Sequence, residues 1–213
     1  MDLISEEIVG YIRSHTSPHC EHLDALEKET WRKILIPRML SGQIQGRFLA
    51  FISTMIRPKR ILEIGTYTGY SSICLAEGLA ESGKIDTLEI NEELSWIQNK
   101  YWKLCGVDKK ITRHLGPALD TLNHLNGSYN LIFIDADKEN LKNYYLKVKP
   151  MLAKGGVILI DNVLWSGKVV EPIDAKDKDT KSILELNSYI QQDSDVENLL
   201  LGIRDGIMMV RKI

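Results

Sequence analysis

From Pro58 onward the chain alternates between short apolar runs and helical patterns, and this limits its possible folds more than any other feature. The runs Arg60–Ile64, Lys84–Ile90, Ile111–Leu115, Asn130–Ile134 and Val157–Ile160 read as strands. The spacing between them predicts helices over Ser71–Ala80, Glu93–Leu104, Lys138–Leu152 and Thr180–Gln191, with a short helix after Leu115. A strand that returns parallel to its predecessor needs a crossover, and the crossover helices cover the sheet on both faces. The unbroken apolar stretches Leu131–Ile134 and Val157–Ile160 suit central strands buried on two sides. At the end, Leu199–Ile203 and Ile207–Val210 flank Asp205-Gly206, a hairpin signal that predicts an antiparallel edge. The expected fold class is therefore α/β: a doubly wound, mostly parallel, seven-stranded sheet with an antiparallel edge hairpin.

Before Pro58 the pattern is helical, over Leu3–Ile12, Leu23–Ile36 and Gln43–Met55, with Pro18 and Pro37 as breaks. We expect one domain over 1–213, with a helical cap at 1–57 and the α/β core at 58–213. Composition sets limits on function. Twenty-seven basic against 29 acidic side chains give a net charge of −2, so there is no general attraction to nucleic acid or anionic lipid. No apolar run approaches the ~20 residues of a membrane span. Met1–Glu7 is acidic and amphipathic, unlike a signal peptide. Cys20, Cys74 and Cys105 form no Cys-x-x-Cys and suggest neither a disulfide framework nor a thiolate zinc site, which suits a cytoplasmic protein. His15, His19 and His22 beside Cys20 are expected in a solvated loop, and Trp31, Trp96 and Trp102 in packing positions.

In an open parallel sheet, ligands bind beyond the carboxyl ends of the strands, where strand order reverses. The turn after the first strand, Glu63-Ile-Gly65-Thr-Tyr-Thr-Gly69-Tyr-Ser71, has glycines at G-x-x-x-G spacing rather than G-x-G-x-x-G. Its acidic residue would repel a pyrophosphate, which opposes a nicotinamide dinucleotide, and would welcome an amino group. Glu89 ends the second strand, where a carboxylate can accept both hydroxyls of a ribose. Together these point to an adenosine ligand with an amino-acid tail. The plainer alternative is a simple turn and a helix cap.

The fourth strand ends in Asp135-Ala-Asp137-Lys138 and the fifth in Asp161-Asn162. Asp135, Asp161 and Asn162 can converge as hard oxygen donors, a set that favours Mg²⁺, Mn²⁺ or Ca²⁺ over zinc. Lys138, three residues past Asp135, is placed to reach a substrate at that site. Asp137 reads as a helix N-cap. Trp165 either walls the acceptor pocket or joins the core, and the charged segment Lys168–Lys181 is either a solvated loop or a flap over the site.

Taken together, Glu63–Ser71, Gly116-Pro-Ala-Leu119, Phe133–Lys138, Asp161-Asn-Val-Leu-Trp165 and Arg204-Asp-Gly206 resemble the cation-dependent, S-adenosylmethionine-dependent O-methyltransferases of the catechol and caffeoyl-CoA type. The resemblance runs from about residue 5 to the C-terminus and implies a Rossmann-like class I methyltransferase fold. It implies that Asp135, Asp161 and Asn162 hold a divalent cation, Mg²⁺ foremost, and that Lys138 is the general base. It implies that Glu63, Gly65, Thr66 and Ser71 line the methionine part of the cofactor, that Asp135 also contacts the cofactor, that Glu89 holds the ribose and that Ala118 lies by the adenine. Met39 and Ser41 match the segment that covers the methyl donor. Lys138 and Trp165 would meet a phenolic acceptor, in a pocket shaped by the N-terminal helices. A homodimer is implied as well. Arg47 departs from the pattern, since relatives commonly carry glutamine there. The rival classes are a dehydrogenase, a nucleic-acid methyltransferase and a cofactor-binding module without turnover.

Overall fold

The computed structural model describes residues 5–213. Its seven strands form one sheet in the order β3-β2-β1-β4-β5-β7-β6, with β1 at Arg60–Ile64, β2 at Lys84–Glu89, β3 at Ile111–Leu115, β4 at Tyr129–Ile134, β5 at Leu152–Asp161, β6 at Val196–Leu201 and β7 at Ile207–Lys212. The pairs among β1 to β5 are parallel, and β7 runs antiparallel to both β5 and β6. The expected class is thus observed, with its antiparallel edge.

Helices α1 (Glu6–Ser14), α2 (Glu21–Lys33) and α3 (Gly42–Ile56) precede β1. Between the strands lie α4 (Tyr70–Ala76), α5 (Ser95–Leu104), α6 (Ala118–Leu122), α7 (Leu141–Val148) and α8 (Lys178–Gln191). Strand side chains alternate between faces, so two cores form. Ile61, Ile85, Phe133 and Leu159 meet α2, α3, α4 and α5 on one face. Leu62, Ile64, Ile132, Ile134 and Ile160 meet α7 and α8 on the other. Helices α2 and α3 therefore pack on the sheet face that α4 and α5 cover.

Several boundaries differ from the sequence reading, each for a tertiary reason. Helix α4 stops at Ala76 rather than Ala80, and the chain beyond it runs against α3 at Gly78, where a Cβ would come within 2.1 Å of the Ser53 carbonyl carbon. The Ala80 N–H is instead satisfied by the Pro58 carbonyl at 3.0 Å. The helix expected over Lys138–Leu152 is broken into a turn at Lys138–Asn140, then α7, then a turn at Lys149–Met151 that contains Pro150, which lacks the N–H of a continuing helix. β6 sits earlier than expected, since Leu201 pairs with Ile207 and leaves 202–206 as the hairpin turn. Two packing expectations fail: Trp31 is 59% and Trp96 44% exposed, while Trp102 is buried and reaches the Gly69 carbonyl. His19 also leaves the expected solvated loop, pairing with Asp24 at 2.7 Å and Tyr70 at 3.1 Å.

The strand order reverses between β1 and β4. Ile64 pairs with Ile134 and Ile134 with Ile160, so the carboxyl ends of β1, β4 and β5 emerge side by side. This register delivers the glycine turn, Asp135 and Asp161 to a single rim.

Candidate active site

Gly65 leaves β1 at φ +99° directly beneath β4, where a Cβ would lie 1.9 Å from the Asp135 carbonyl oxygen. Only glycine permits both this approach and this dihedral without strain. The Asp135 N–H in turn donates to the Ile64 carbonyl at 2.8 Å. Thr66 is spent within the turn: its N–H bonds the Leu88 carbonyl, and its hydroxyl lies 2.6 Å from that of Thr87. Gly69 opens α4 in the left-handed region against the Trp102 indole.

Glu63 is fully buried. Its Oε2 accepts from the Ser72 hydroxyl and, at 2.5 Å, from the Thr87 hydroxyl. Its Oε1 is buried without a hydrogen-bond partner. Burial pushes its pKa from 4.5 to about 7, with Ser71, Ser72 and Thr87 opposing and the Asp135 charge adding to the rise. A buried acceptor with an open position fits the amino group expected of the ligand, since such a group is costly to leave unpaired. The folded state thus holds a proton that the unfolded chain releases between pH 4.5 and about 7, so stability falls as pH rises through that window. Glu63→Gln is expected to reduce this slope, which Asp161 shares, in thermal melts of cofactor-free protein taken from about pH 5 to 8. An unchanged slope would rule Glu63 out as a contributor to it.

Glu89 is buried at the end of β2 and accepts from the backbone N–H of Tyr67 at 2.7 Å and of Asn91 at 2.8 Å. Burial is the main cause of its raised pKa. Each oxygen takes one backbone bond and keeps further acceptor capacity for hydroxyls. The Gly116 N–H bonds the Glu89 carbonyl at 2.9 Å, which brings Ala118, the first residue of α6, alongside. Met39 is 56% exposed at the end of the turn Pro37–Met39, whereas Ser41 is buried.

At the ends of β4 and β5 the acidic groups gather. Asp161 is 4% exposed; its Oδ2 accepts from Gln45 Nε2 and its Oδ1 from the Asn162 N–H. Burial first, then the Asp135 charge, pushes its pKa from 3.8 to about 7, with Gln45, Lys138 and Asn162 pulling it down. Asn162 sits at φ 61°, its amide 3.4 Å from Asp205. Among the described residues no three His, Cys, Asp or Glu side chains are grouped for a metal ion; the expected donors are two carboxylates and an amide. This set fits a hard divalent cation, because the buried Asp161 and the partly exposed Asp135 repel one another and positive charge at the rim relieves that repulsion.

Lys138 Nζ donates to the Ala136 carbonyl at 2.9 Å, lies 3.5 Å from Asp135 Oδ1 and stands 6.0 Å from the centre of the Trp165 ring. Its turn is held from outside: Ser182 on α8 donates to the Lys138 carbonyl at 2.8 Å. Asp137 takes the N-cap position of this turn, but its carboxylate makes no capping bond and accepts instead from Asn140 and Tyr144. Trp165, at φ 48°, is half-buried against the α7–α8 core with its ring beside Lys138. Beyond it, Lys168 pairs with Asp177 at 3.0 Å, fastening the charged segment to the start of α8. The structure thus brings Asp135, Asp161, Asn162, Lys138 and Trp165 to one rim, with Glu63, Gly65, Thr66 and Ser71 on the neighbouring turn.

Sequence reasoning missed Gln45, which reaches the Asp161 carboxylate from α3, and gave Arg204 no role although its turn belongs to a matching stretch. The one available signal was a polar residue amid the apolar positions of α3, ahead of Gly46, whose Cβ would meet the Tyr70 ring at 2.7 Å.

The O-methyltransferase family model matches residues 13–213. A caffeoyl-CoA O-methyltransferase of Medicago sativa is 38% identical over 82% of this chain and 75% of that protein. The catechol O-methyltransferase domain-containing protein 1 of Mus musculus is 36% identical over 79% of this chain and 66% of its own length. The crystal structure of an O-methyltransferase from Bacillus cereus in complex with SAH superimposes with a TM-score of 0.89 at 27% identity, covering 97% of each chain. With the class I arrangement of strands and the glycine turn described above, the chain belongs to the O-methyltransferase family, the caffeoyl-CoA and catechol type that its motifs resemble.

Proposed function

We propose that the protein transfers a methyl group from S-adenosylmethionine to one hydroxyl of a vicinal diphenol, with a divalent cation holding both hydroxyls. The observation that carries this reading is the buried Asp161 beside the partly exposed Asp135, where burial first and the Asp135 charge second raise the Asp161 pKa, with Lys138 3.5 Å from Asp135. When bound, the cofactor supplies an electrophilic methyl group and the cation supplies positive charge that favours the phenolate. Asp135, Asp161 and Asn162 hold the cation, Mg²⁺ before Mn²⁺ or Ca²⁺. Lys138 takes the proton of the attacking hydroxyl, and its turn, anchored by Ser182 and Tyr144, fixes where Nζ stands. Trp165 offers its face to the acceptor ring. Glu63 receives the cofactor's amino group and Glu89 its ribose hydroxyls; Gly65, Thr66, Ser71, Ser41, Met39 and Ala118 shape the remaining walls. Oriented, dry contact between hydroxyl and methyl supplies much of the acceleration, since effective molarities reach ~10⁵ M or more.

We also read the chain as a cytoplasmic homodimer that binds neither nucleic acid nor membrane. No helix among the described residues is long and apolar enough to cross a membrane. Light scattering of the purified protein tests the dimer. For the reaction, release of S-adenosylhomocysteine is followed with a panel of vicinal diphenols, caffeic acid among them, and a monophenol control, each with Mg²⁺ and with EDTA. Turnover on the diols alone, lost in EDTA, is expected. Turnover that ignores EDTA would remove Asp135, Asp161 and Asn162 from the cation role, and cofactor binding without turnover on any diol would favour a different acceptor or a binding module.

A further inference from the structure

Gln45 lies on α3, outside the α/β core, yet it is 1% exposed and its side chain ends at the cation rim. Its Nε2 donates to Asp161 Oδ2 at 2.7 Å, while its Oε1 accepts from Arg204 Nη1 at 2.5 Å. The neighbours fix the amide's orientation: turned over, it would face its carbonyl to a carboxylate and its NH₂ to a guanidinium. Arg204, in the β6–β7 turn at φ 50°, also donates to the Ser41 carbonyl. The other Asp161 oxygen is held by its neighbour's N–H, a bond local to the end of β5. Gln45 is thus the only side chain hydrogen-bonded to this carboxylate among the described residues.

We propose that Gln45 and Arg204 are positioning residues of the cation site: Gln45 fixes the Asp161 carboxylate, and Arg204 fixes Gln45 together with the segment at Ser41. The proposal rests on the cation reading above. Outer hydrogen-bond partners of ligating carboxylates set their orientation, and removing one typically lowers metal affinity 10–100-fold. Here the partner comes from the N-terminal segment, so cation affinity depends on residues 41–45 being seated against the β6–β7 turn. By linkage, a bound cation favours that seating to the same extent. The core can bring Asp135, Asp161 and Asn162 together by itself, but it needs α3 to aim one of them.

The test is Mn²⁺ binding by titration calorimetry, with S-adenosylhomocysteine affinity measured alongside. The wild type should bind Mn²⁺. Gln45→Ala and Arg204→Ala should each weaken Mn²⁺ about 10–100-fold, and more than they weaken S-adenosylhomocysteine. Arg204→Lys, which still offers a donor to both Gln45 and Ser41, should stay near wild type. The double variant should lose no more than Gln45→Ala alone, since both act through one contact. Gln45→Glu keeps an acceptor for Arg204 but turns the donor facing Asp161 into an acceptor, so it should not restore binding. Unchanged Mn²⁺ affinity in Gln45→Ala, or additive losses in the double variant, would overturn the proposal. If Gln45→Ala does not fold, the contrast between Arg204→Ala and Arg204→Lys decides, and equal losses in the two would overturn it. A wild type that binds S-adenosylhomocysteine but no Mn²⁺ would overturn the cation reading itself, and this proposal with it.

Discussion

Asp161→Ala is expected to abolish Mg²⁺-dependent turnover, a loss of roughly 10³-fold or more, while the protein still folds and still binds S-adenosylhomocysteine. The size follows from the several kcal/mol of charge stabilisation that a metal ion supplies to a developing oxyanion, at about 1.4 kcal/mol per tenfold in rate. Asp161 is one of only two carboxylates in the proposed donor set, and the other, Asp135, is the partner whose charge helps push its pKa to about 7. Stability should survive for the same reason. In the cation-free protein this buried carboxylate is a burden at neutral pH, so its removal relieves repulsion as it frees Gln45 Nε2 and the Asn162 N–H. Asp161→Asn refines the test. The amide preserves size and one acceptor oxygen but no charge, and its NH₂ must face one of the two donors that Asp161 now accepts from, so it should fold without restoring the rate. Calorimetry with S-adenosylhomocysteine and Mg²⁺-dependent initial rates give the two readouts. An Asp161→Ala enzyme within tenfold of wild type would remove this residue from the cation role.

Much of this site could be read in the sequence because its parts lie where the chain is most regular. β1 was located to the residue, since Arg60–Ile64 is a compact apolar run between Pro58 and a glycine turn. Asp135 and Asp161 follow such runs directly, and parallel register carries strand ends to a common rim without further information. What escaped was contact between segments distant in sequence. The Gln45–Asp161 bond spans 116 residues and the Gln45–Arg204 bond 159, and neither pair follows from local periodicity. The end of α4 escaped likewise, because past Ala76 the chain runs against α3 at Gly78 and bonds the Pro58 carbonyl through the Ala80 N–H, encounters only the folded chain has. The exposed indoles of Trp31 and Trp96 mark the converse: helical spacing identifies a face but not whether anything covers it.

Lys138→Ala is expected to lower kcat by about 10²–10⁴-fold, the usual worth of a positioned general base, with S-adenosylhomocysteine affinity unchanged. The lysine is well placed for that task and poorly placed for a purely structural one. Its ammonium contacts the Ala136 carbonyl at 2.9 Å and stands 3.5 Å from Asp135, contacts within its own turn that water could replace. The turn keeps its shape through other bonds, from Ser182 to the Lys138 carbonyl and from Tyr144 to Asp137. Alanine should therefore leave the backbone, the carboxylates and the melting temperature in place while removing the proton acceptor. Arginine separates the two roles a cation could have here. It keeps a positive charge beside Asp135 but does not give up its proton in proteins. If Lys138 acts by charge alone, Lys138→Arg should recover most of the rate; as a base it should remain near the alanine level. The pH profile of kcat distinguishes them again, because the limb that reports the base should disappear in Lys138→Ala. Recovery of the rate by Lys138→Arg would show that the lysine attracts and orients the acceptor, and the proton would then have to leave by another route.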